Sequence, residues 1–348
     1  MSLTPRSRRV PAHVALLAAA GLIAAAISVE PGSARSAAQD NAAALTVSGR
    51  GFHVGGRQAF PLGVSLFDAL GATAPRDQDL DTLRQWGVTI VRVWAHWSEP
   101  IYQADGALTS QGHARLLALL ERLRRRGLVL ELVLLRPGQL PGQRFAIFAT
   151  DGARVRAVQQ MTRTLRDHRN VVFDLYNEHD HSDGPISHAG ARVLRDAVKA
   201  IDPARLVTIS SAGGHLIDAA GQVGKDEERN LREEAGTGPG EVAVDIVAPH
   251  LQRSDDWAPA TAARIMALKA ALDRIGRPLP IYLNEERRTD ARAALDPSAY
   301  RAAFAQARQA GAAAWLFHTA AGFALGQKPF LDALAPNERA ALSRLSER

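Results

Sequence analysis

Two glutamates in this 348-residue chain each follow an asparagine at the end of an apolar run. Asn177-Glu178 comes after VVFDLY, and Asn284-Glu285 comes after PIYL. Two carboxyl groups that face each other suit cleavage of a glycosidic bond, since one donates a proton while the other attacks or stabilises the electron-poor carbon. The donor must stay protonated near neutrality. Partial burial and a second carboxylate nearby would raise its pKa in that way.

The elements around these glutamates must bring the two ends together. Apolar runs of strand length alternate with amphipathic helices, which favours βα units and a parallel sheet. No glycine-rich phosphate loop follows the first run, so a closed (β/α)8 TIM barrel is favoured over an open sheet. The fourth and seventh strand ends of such a barrel lie across one mouth, which predicts that Glu178 and Glu285 face each other. The eight runs are 60–66, 87–94, 128–135, 170–177, 205–210, 242–250, 279–285 and 312–318.

Further elements frame this barrel. A short N-terminal β-hairpin, Leu45–Val47 with Phe52–Val54, is predicted from alternating residues broken by glycines. The charged, glycine-rich segment 218–240 predicts an exposed loop or a short helix, most simply a solvated insertion, which could also form a rim of the site. Helices are predicted where apolar residues share one face, at 113–125, 154–167, 189–201, 261–275, from 297 onward and at 336–345.

Residues 1–38 are typical of a secretory signal peptide. Three arginines near the start precede the apolar run 14–29, and small residues then permit cleavage after Ala38. An uncleaved membrane anchor over the same run is the alternative. Residues 39–44 are interpreted as a linker, which leaves 45–348 for the barrel domain. A secreted or periplasmic protein is therefore expected.

Charge and composition exclude several other classes of function. The net charge is +6, of which the leader holds +3 through four arginines and one glutamate. The remaining +3 is spread too thinly for a nucleic-acid surface. The chain has no cysteine, which excludes thiol chemistry and cysteine-ligated metals. The neighbouring His179, Asp180, His181 and Asp183 would rarely all point at one ion, so neither a metal nor another cofactor is expected.

Five segments resemble successive strand ends of the clan A glycoside hydrolases, most of all the cellulase-like family 5. They are FHVGGRQAFPLGVS, VTIVRVW, FDLYNEH, PIYLNEE and AAWLFH, and they span about residues 45–330. The resemblance implies a retaining hydrolase of β-linked oligo- or polysaccharides, expected here as a monomer. It implies Glu178 as the general acid/base and Glu285 as the nucleophile.

The resemblance also implies supporting residues. Asn177 would hold the sugar 2-hydroxyl, and Arg92 would bind the nucleophile carboxylate and keep it ionised. His250 would line the site, and Trp315 would form the floor beneath the sugar. Independently of the resemblance, Trp94 belongs to an aromatic cluster after the second strand, which could stack on a sugar face or pack its own loop.

The chain departs from the family pattern at three strand ends. His179 stands where a proline often follows the acid/base, Gln252 stands where a tyrosine often contacts the nucleophile, and the third strand lacks a frequent histidine. A barrel that binds carbohydrate without cutting it is therefore the alternative. Glu286 is a rival to Glu285, because strand-end registers slip easily. A barrel lyase or aldolase is a further alternative, against which the absence of a lysine at any strand end argues.

Overall fold

The computed structural model describes residues 43–212, 223–251, 253, 256–289 and 295–346. The predicted leader at 1–38, most of the linker at 39–44, Gln252 and the first residues of the segment 218–240 lie outside the described residues. Within the described part of the chain, no helix combines the length and apolar character needed to cross a membrane.

Twelve strands are present among the described residues. Three of them form an antiparallel sheet ahead of the barrel: β1 (Leu45–Ser48), β2 (Gly51–Val54) and β3 (Arg57–Ala59). The predicted hairpin is β1 with β2, and β3 adds a third strand. The others pair in parallel: β4 (Leu62–Ser65), β5 (Val88–Trp94), β6 (Val129–Val133), β7 (Val171–Asp174), β8 (Val207–Thr208), β9 (Ser210–Ser211), β10 (Ala248–Pro249), β11 (Tyr282–Leu283) and β12 (Ala314–Phe317).

The parallel strands close into an eight-stranded barrel. Seven of them hydrogen-bond in the order β11-β12-β4-β5-β6-β7-β8. β9 follows β8 after one residue, as a continuation of the fifth strand, and pairs with β10. A parallel bridge between Val247 and Ile281 then joins the sixth strand to the seventh. The predicted TIM barrel is confirmed, and each of the eight apolar runs supplies one strand.

Nine helices lie in the described part of the chain, and the sequence predicts six of them. The short α1 is not predicted, because only Leu80 and Leu83 give it a buried apolar stripe. The four-residue α8 is not predicted either. The helices are α1 (Asp77–Gln85), α2 (Ser110–Arg125), α3 (Asp151–Leu165), α4 (His188–Lys199), α5 (Lys225–Ala235), α6 (Trp257–Arg274), α7 (Pro297–Ala310), α8 (Phe330–Ala333) and α9 (Pro336–Leu342).

Side-chain caps fix where several helices begin. Thr109, Thr150 and Ser187 each accept a hydrogen bond from the backbone N–H three residues later, at 2.9, 3.2 and 3.1 Å. Such caps satisfy donors that the first helical turn leaves free. Because each cap ends the loop that leaves a strand, these residues also fix the loops at the barrel mouth.

The segment after the fifth strand contains a helix, α5, which agrees with one of the two predicted forms. The expectation of a purely solvated insertion is wrong for the C-terminal half of this helix. Leu231 and Glu234 are buried there, because they pack against the barrel rather than facing water.

The N-terminal sheet seals the end of the barrel where the strands begin. Leu45 and Phe52 join an apolar cluster with residues at the starts of the strands, among them Val129 and Val172. Phe52 is fully buried, and its ring lies edge-on to Tyr282 at 5.9 Å. The barrel therefore opens to solvent chiefly at the other end, where the strands finish.

We expect Phe52→Ala to lower the free energy of unfolding by about 3–5 kcal/mol, because the lost ring leaves a cavity beneath the barrel. Urea denaturation followed by circular dichroism measures this loss. Phe52→Leu is the matched control, since it keeps most of the apolar volume and should cost clearly less. Unchanged stability in Phe52→Ala would contradict a sealing role for the sheet.

Candidate active site

The two glutamates lie at the mouth of the barrel, in a cleft of about 510 Å³. One carboxylate oxygen of each glutamate and one ring nitrogen of His250 all lie within 4.8 Å of one another. His250 stands between them, with Nδ1 3.0 Å from Glu178 Oε1 and Nε2 3.8 Å from Glu285 Oε2. The fold thus brings together two carboxyl groups that are 107 positions apart in the sequence. The cleft is also lined by five aromatic and four arginine side chains: Phe67, Trp94, Trp97, Phe145, Phe323, Arg136, Arg144, Arg253 and Arg288.

Arg92 on β5 occupies the centre of a buried ionic cluster beneath this cleft. Its Nε donates to Glu131 at 2.9 Å, and its Nη2 donates to Asp174 at 2.7 Å. Its Nη1 donates to Glu285 Oε2 at 2.9 Å, as expected for a residue that holds this carboxylate. Burial opposes the charge of Arg92, but the three carboxylates outweigh burial and raise its pKa. The guanidinium is therefore permanently charged.

Two arginines hold opposite oxygens of Glu285. Arg92 binds Oε2, and Arg253 Nη2 binds Oε1 at 2.9 Å. Burial alone would raise the pKa of Glu285, but His250, Arg253 and Arg92 around it hold that pKa well below its ordinary value. Glu285 is therefore ionised near neutral pH, in the form that a nucleophile needs.

His318 at the end of the eighth strand contributes no lasting positive charge. Its Nδ1 lies 2.7 Å from the carbonyl oxygen of Glu286, and Arg288 donates to its Nε2 at 3.2 Å. An arginine can only donate, so Nε2 accepts and Nδ1 carries the single proton. Burial lowers the pKa of His318 to about 3, which agrees with this neutral form.

Glu178 has an unusual backbone and is held by the fifth strand. Its φ of 49° lies in the left-handed region, which side-chain-bearing residues rarely adopt. Its backbone N–H donates to Ser210 Oγ at 3.1 Å, and this hydroxyl donates to Asp174 Oδ2 at 2.8 Å. Because Asp174 is also bonded to Arg92, the same ionic cluster positions both glutamates.

The pKa of Glu178 moves opposite to the expected direction. Burial raises it, but the hydrogen bond and charge of His250 outweigh burial and the repulsion from Glu285, so the net shift is downward. The expected rise is wrong because it considers only burial and the second carboxylate. It leaves out a histidine on the sixth strand that contacts the carboxyl group directly.

Glu286, the rival to Glu285, faces away from the cleft. Its side chain is fully buried and accepts a hydrogen bond from the indole N–H of Trp257 on α6. Glu285 lies at a bend beyond the end of β11, and the chain there directs the two neighbouring side chains to opposite sides. The side chain that follows Glu285 therefore enters the layer between barrel and helices.

The expectation that Trp315 forms the floor of the cleft is wrong. Its ring is fully buried against Phe304 of α7 at 5.7 Å. The next residue, Leu316, joins the apolar cluster inside the barrel. By strand alternation Trp315 must point outward to the helices, and His318 is the residue that points inward at the mouth.

Trp94 and Asn177 both line the cleft. The Trp94 ring is stacked on Phe67 at 3.7 Å, lies 4.3 Å from the Arg92 guanidinium, and is only 2% exposed. This burial favours packing of the loop over stacking on a sugar. Asn177 Oδ1 accepts from Arg92 at 2.8 Å, which directs its amide toward the cleft.

Within the described part of the chain, two groups of side chains have the composition and closeness of metal ligands. One is the set of Glu178, His250 and Glu285, and the other comprises His179, His188 and Glu234. In the second group His179 Nε2 lies 2.9 Å from Glu234 Oε1, a contact that joins the loop after the fourth strand to α5. The predicted absence of a metal or other cofactor stays a prediction.

Several contacts at the mouth are not predicted from the sequence. Glu131 and Asp174 each interrupt an apolar strand run, and a charge inside such a run signals an inward-facing polar residue. Arg253 carries no comparable signal, since it lies in a loop just beyond the sixth strand. It contacts Glu285 from the position after Gln252, where a contact with the nucleophile is expected from the family pattern.

Comparison with known proteins supports the fold. No protein-family model and no curated protein matches the sequence. Many solved structures are similar at low identity. A β-mannanase from the blue mussel Mytilus edulis has a TM-score of 0.58 and 16% identity, over 88% of this chain and 97% of that one. A family 5 glycoside hydrolase from Prevotella bryantii has a TM-score of 0.57 and 15% identity, over 89% and 97%.

A third similar structure is a Bacteroides vulgatus protein provisionally assigned to the glycoside hydrolases. Its TM-score is 0.59 at 16% identity, over 80% of this chain, which spans only 55% of the other protein's length. Together these likenesses show the fold, a barrel similar to those of the mannanase and the family 5 glycoside hydrolase.

Replacing Arg92 with methionine should leave three carboxylates buried without their cation. We expect the free energy of unfolding to fall by about 3–5 kcal/mol at neutral pH, measured by urea denaturation. Burial already raises the pKa of Glu131, and loss of the cation would raise it further. Protonation at lower pH removes the buried charge, so the deficit should shrink as the pH falls.

Arg84→Met is the control for this substitution, because Arg84 is an exposed arginine on α1. It should change the stability by no more than about 0.5 kcal/mol. An Arg92→Met loss of similar size would contradict the central place of the ionic cluster.

Proposed function

We propose that this protein is a retaining hydrolase of β-linked glycans, with Glu178 as general acid/base and Glu285 as nucleophile. The observation that carries the proposal is the separation of the two carboxyl groups, whose oxygens approach within 4.8 Å. Retaining glycosidases hold their carboxyls about 5–5.5 Å apart, whereas inverting enzymes need about 6.5–9.5 Å to admit a water. The shorter separation suits direct attack on the sugar carbon.

In the first step a carboxylate oxygen of Glu285 would bond to the anomeric carbon as the glycosidic C–O bond breaks. The electron pair of that bond goes to the leaving oxygen, which takes a proton from Glu178. Arg92 and Arg253 keep Glu285 ionised before attack. In the second step Glu178 accepts a proton from water, the water oxygen bonds to the anomeric carbon, and Glu285 is released.

His250 would take part in the proton transfer of the first step. Its Nδ1 lies 3.0 Å from Glu178 Oε1, and this hydrogen bond lowers the pKa of Glu178. Transfer across this hydrogen bond would give Glu178 the proton that the leaving group needs. The Glu178–His250 pair, rather than Glu178 alone, would then act as the acid.

A barrel that binds glycans without cutting them is the second candidate. The downward pKa shift of Glu178 favours it, because an ionised carboxylate cannot donate a proton. The same geometry without turnover would make the cleft a carbohydrate-binding site.

An activated 2-deoxy-2-fluoro β-glycoside separates the two candidates. We expect the wild-type protein to gain the mass of one fluorosugar, because Glu285 forms the covalent bond and the fluorine slows its release. Glu285→Gln should stay unlabelled. Glu178→Gln should still be labelled, since an activated leaving group needs no proton, but should lose about 10²–10⁴-fold in kcat on unactivated glycans. Intact-protein mass spectrometry and reducing-sugar release are the measurements.

Glu286→Gln is the matched control, because it alters the neighbouring glutamate that faces away from the cleft. It should be labelled as the wild type is. Labelling of Glu285→Gln, or a wild-type protein that binds glycans but never gains the sugar mass, would contradict the hydrolase proposal.

We also propose that the protein is exported and acts outside the cytoplasm. The support is the arginine-led apolar segment within residues 1–38. Expression of the full chain followed by N-terminal sequencing of the extracytoplasmic protein should find a new start after Ala38. An intact start in a cytoplasmic fraction would contradict export.

A further inference from the structure

Arg136 is a buried cation with no acidic partner among the described residues. It follows the third strand, lines the cleft of Glu178 and Glu285, and is only 9% exposed. Its Nε is buried and has no hydrogen-bond partner among the described residues. Its guanidinium also forms no salt bridge with the described part of the chain. A buried charge without a partner costs free energy, so its presence at a cleft calls for an explanation.

The surroundings of Arg136 orient it without neutralising it. Its guanidinium carbon lies 3.9 Å from the ring centroid of Phe145 and 4.9 Å from that of Trp97. Burial and the neighbouring Arg144 lower its pKa to about 10, which still leaves it protonated at neutral pH. The two aromatic rings therefore hold a flat, charged group whose side-chain N–H groups bond to none of the described residues.

A purely structural arginine looks different in this protein. Arg205 is also buried, and its Nη1 and Nη2 donate to four backbone carbonyls, those of residues 165, 166, 168 and 171. The guanidinium of Arg136 makes no such bond with the described residues. Its donors are thus available to a molecule in the cleft.

Two of the three acidic groups that line the cleft are engaged by other residues, whereas the third, Asp183, is exposed. Glu178 is bonded to His250, and Glu285 is held by Arg92 and Arg253. Asp183 lies 3.9 Å from His181. Arg144, which is exposed at the rim, adds a second positive charge beside Arg136. Arg136 and Arg144 thus place two positive charges on the cleft wall, and neither forms an ion pair with the described residues.

We propose that the cleft takes a glycan with an anionic substituent, bound by Arg136 and Arg144 beside the two glutamates. This inference rests on the proposed function and adds the substrate class. A planar guanidinium forms paired hydrogen bonds with the oxygens of a uronic acid carboxylate, or of a sulfate or phosphate ester. Trp97 is half-buried next to Arg136 and presents an aromatic surface to the sugar that carries the charge.

Binding of small probes to the full-length protein tests this inference. The probes are glucuronate, glucose 6-sulfate, glucose and inorganic sulfate, each titrated calorimetrically at low and high salt. Glucuronate or glucose 6-sulfate should bind at least tenfold more tightly than glucose, and added salt should weaken only the anionic probes. The stronger of the two sugars identifies the substituent. Equal affinity for glucose, binding of inorganic sulfate as tight as that of either sugar, or no binding of any probe would overturn the proposal.

Two substitutions locate the binding. Arg136→Gln and Arg144→Gln should each weaken the anionic sugar by roughly tenfold to a hundredfold, as expected for loss of a charged hydrogen bond, and change glucose less than twofold. Arg144 is exposed, so its variant keeps the fold even where Arg136→Gln does not. Arg57→Gln is the charge-matched control, since Arg57 is exposed on β3 at the sealed end of the barrel. Unchanged affinity in Arg144→Gln, or an equal loss in Arg57→Gln, would contradict the assignment.

The two proposals fail in different ways. If the hydrolase proposal is wrong, the fluoroglycoside leaves the protein unlabelled while the anionic sugar still binds through Arg136 and Arg144. If the anionic-substrate inference is wrong, the protein is labelled normally while neutral and anionic sugars bind alike.

Discussion

One buried ion cluster determines the geometry of the barrel mouth. The guanidinium of Arg92 serves Glu131, Asp174 and Glu285, which come from the third, fourth and seventh strands. Charges in such surroundings are tolerated only when each one is paired, so the ends of these strands must keep a fixed register. Apolar packing and the N-terminal sheet fill the opposite end of the barrel. The division between an apolar base and an ionic upper layer places the two glutamates at one end of the barrel.

The two central glutamates are consequently parts of one network rather than of two independent loops. Asp174 links Arg92 to Ser210, and Ser210 holds the backbone of Glu178. The short distance between the two carboxyl groups therefore follows from strand register. The loops around the mouth determine other properties of the cleft, above all the charge of its wall near Arg136.

Much of this arrangement can be predicted from the sequence, and the failures have physical causes. The eight strands are visible because strands buried on both faces leave continuous apolar runs. The glutamates are visible because each stands as a polar residue where such a run ends. Trp315 is misplaced because the direction of a side chain depends on a register of one residue. The pKa of Glu178 is misjudged because the decisive contact, His250, lies 72 positions away.

At Glu178 the backbone conformation favours glycine, whereas the cleft needs the carboxyl group of a glutamate. For a residue with a side chain this conformation costs about 1–2 kcal/mol, which glycine would avoid. Selection of this barrel for heat resistance alone would therefore favour glycine in place of Glu178. The carboxyl group would then be lost. Stability and the proposed role of Glu178 are therefore in conflict at this position, and an engineered gain in stability has to be sought elsewhere in the chain.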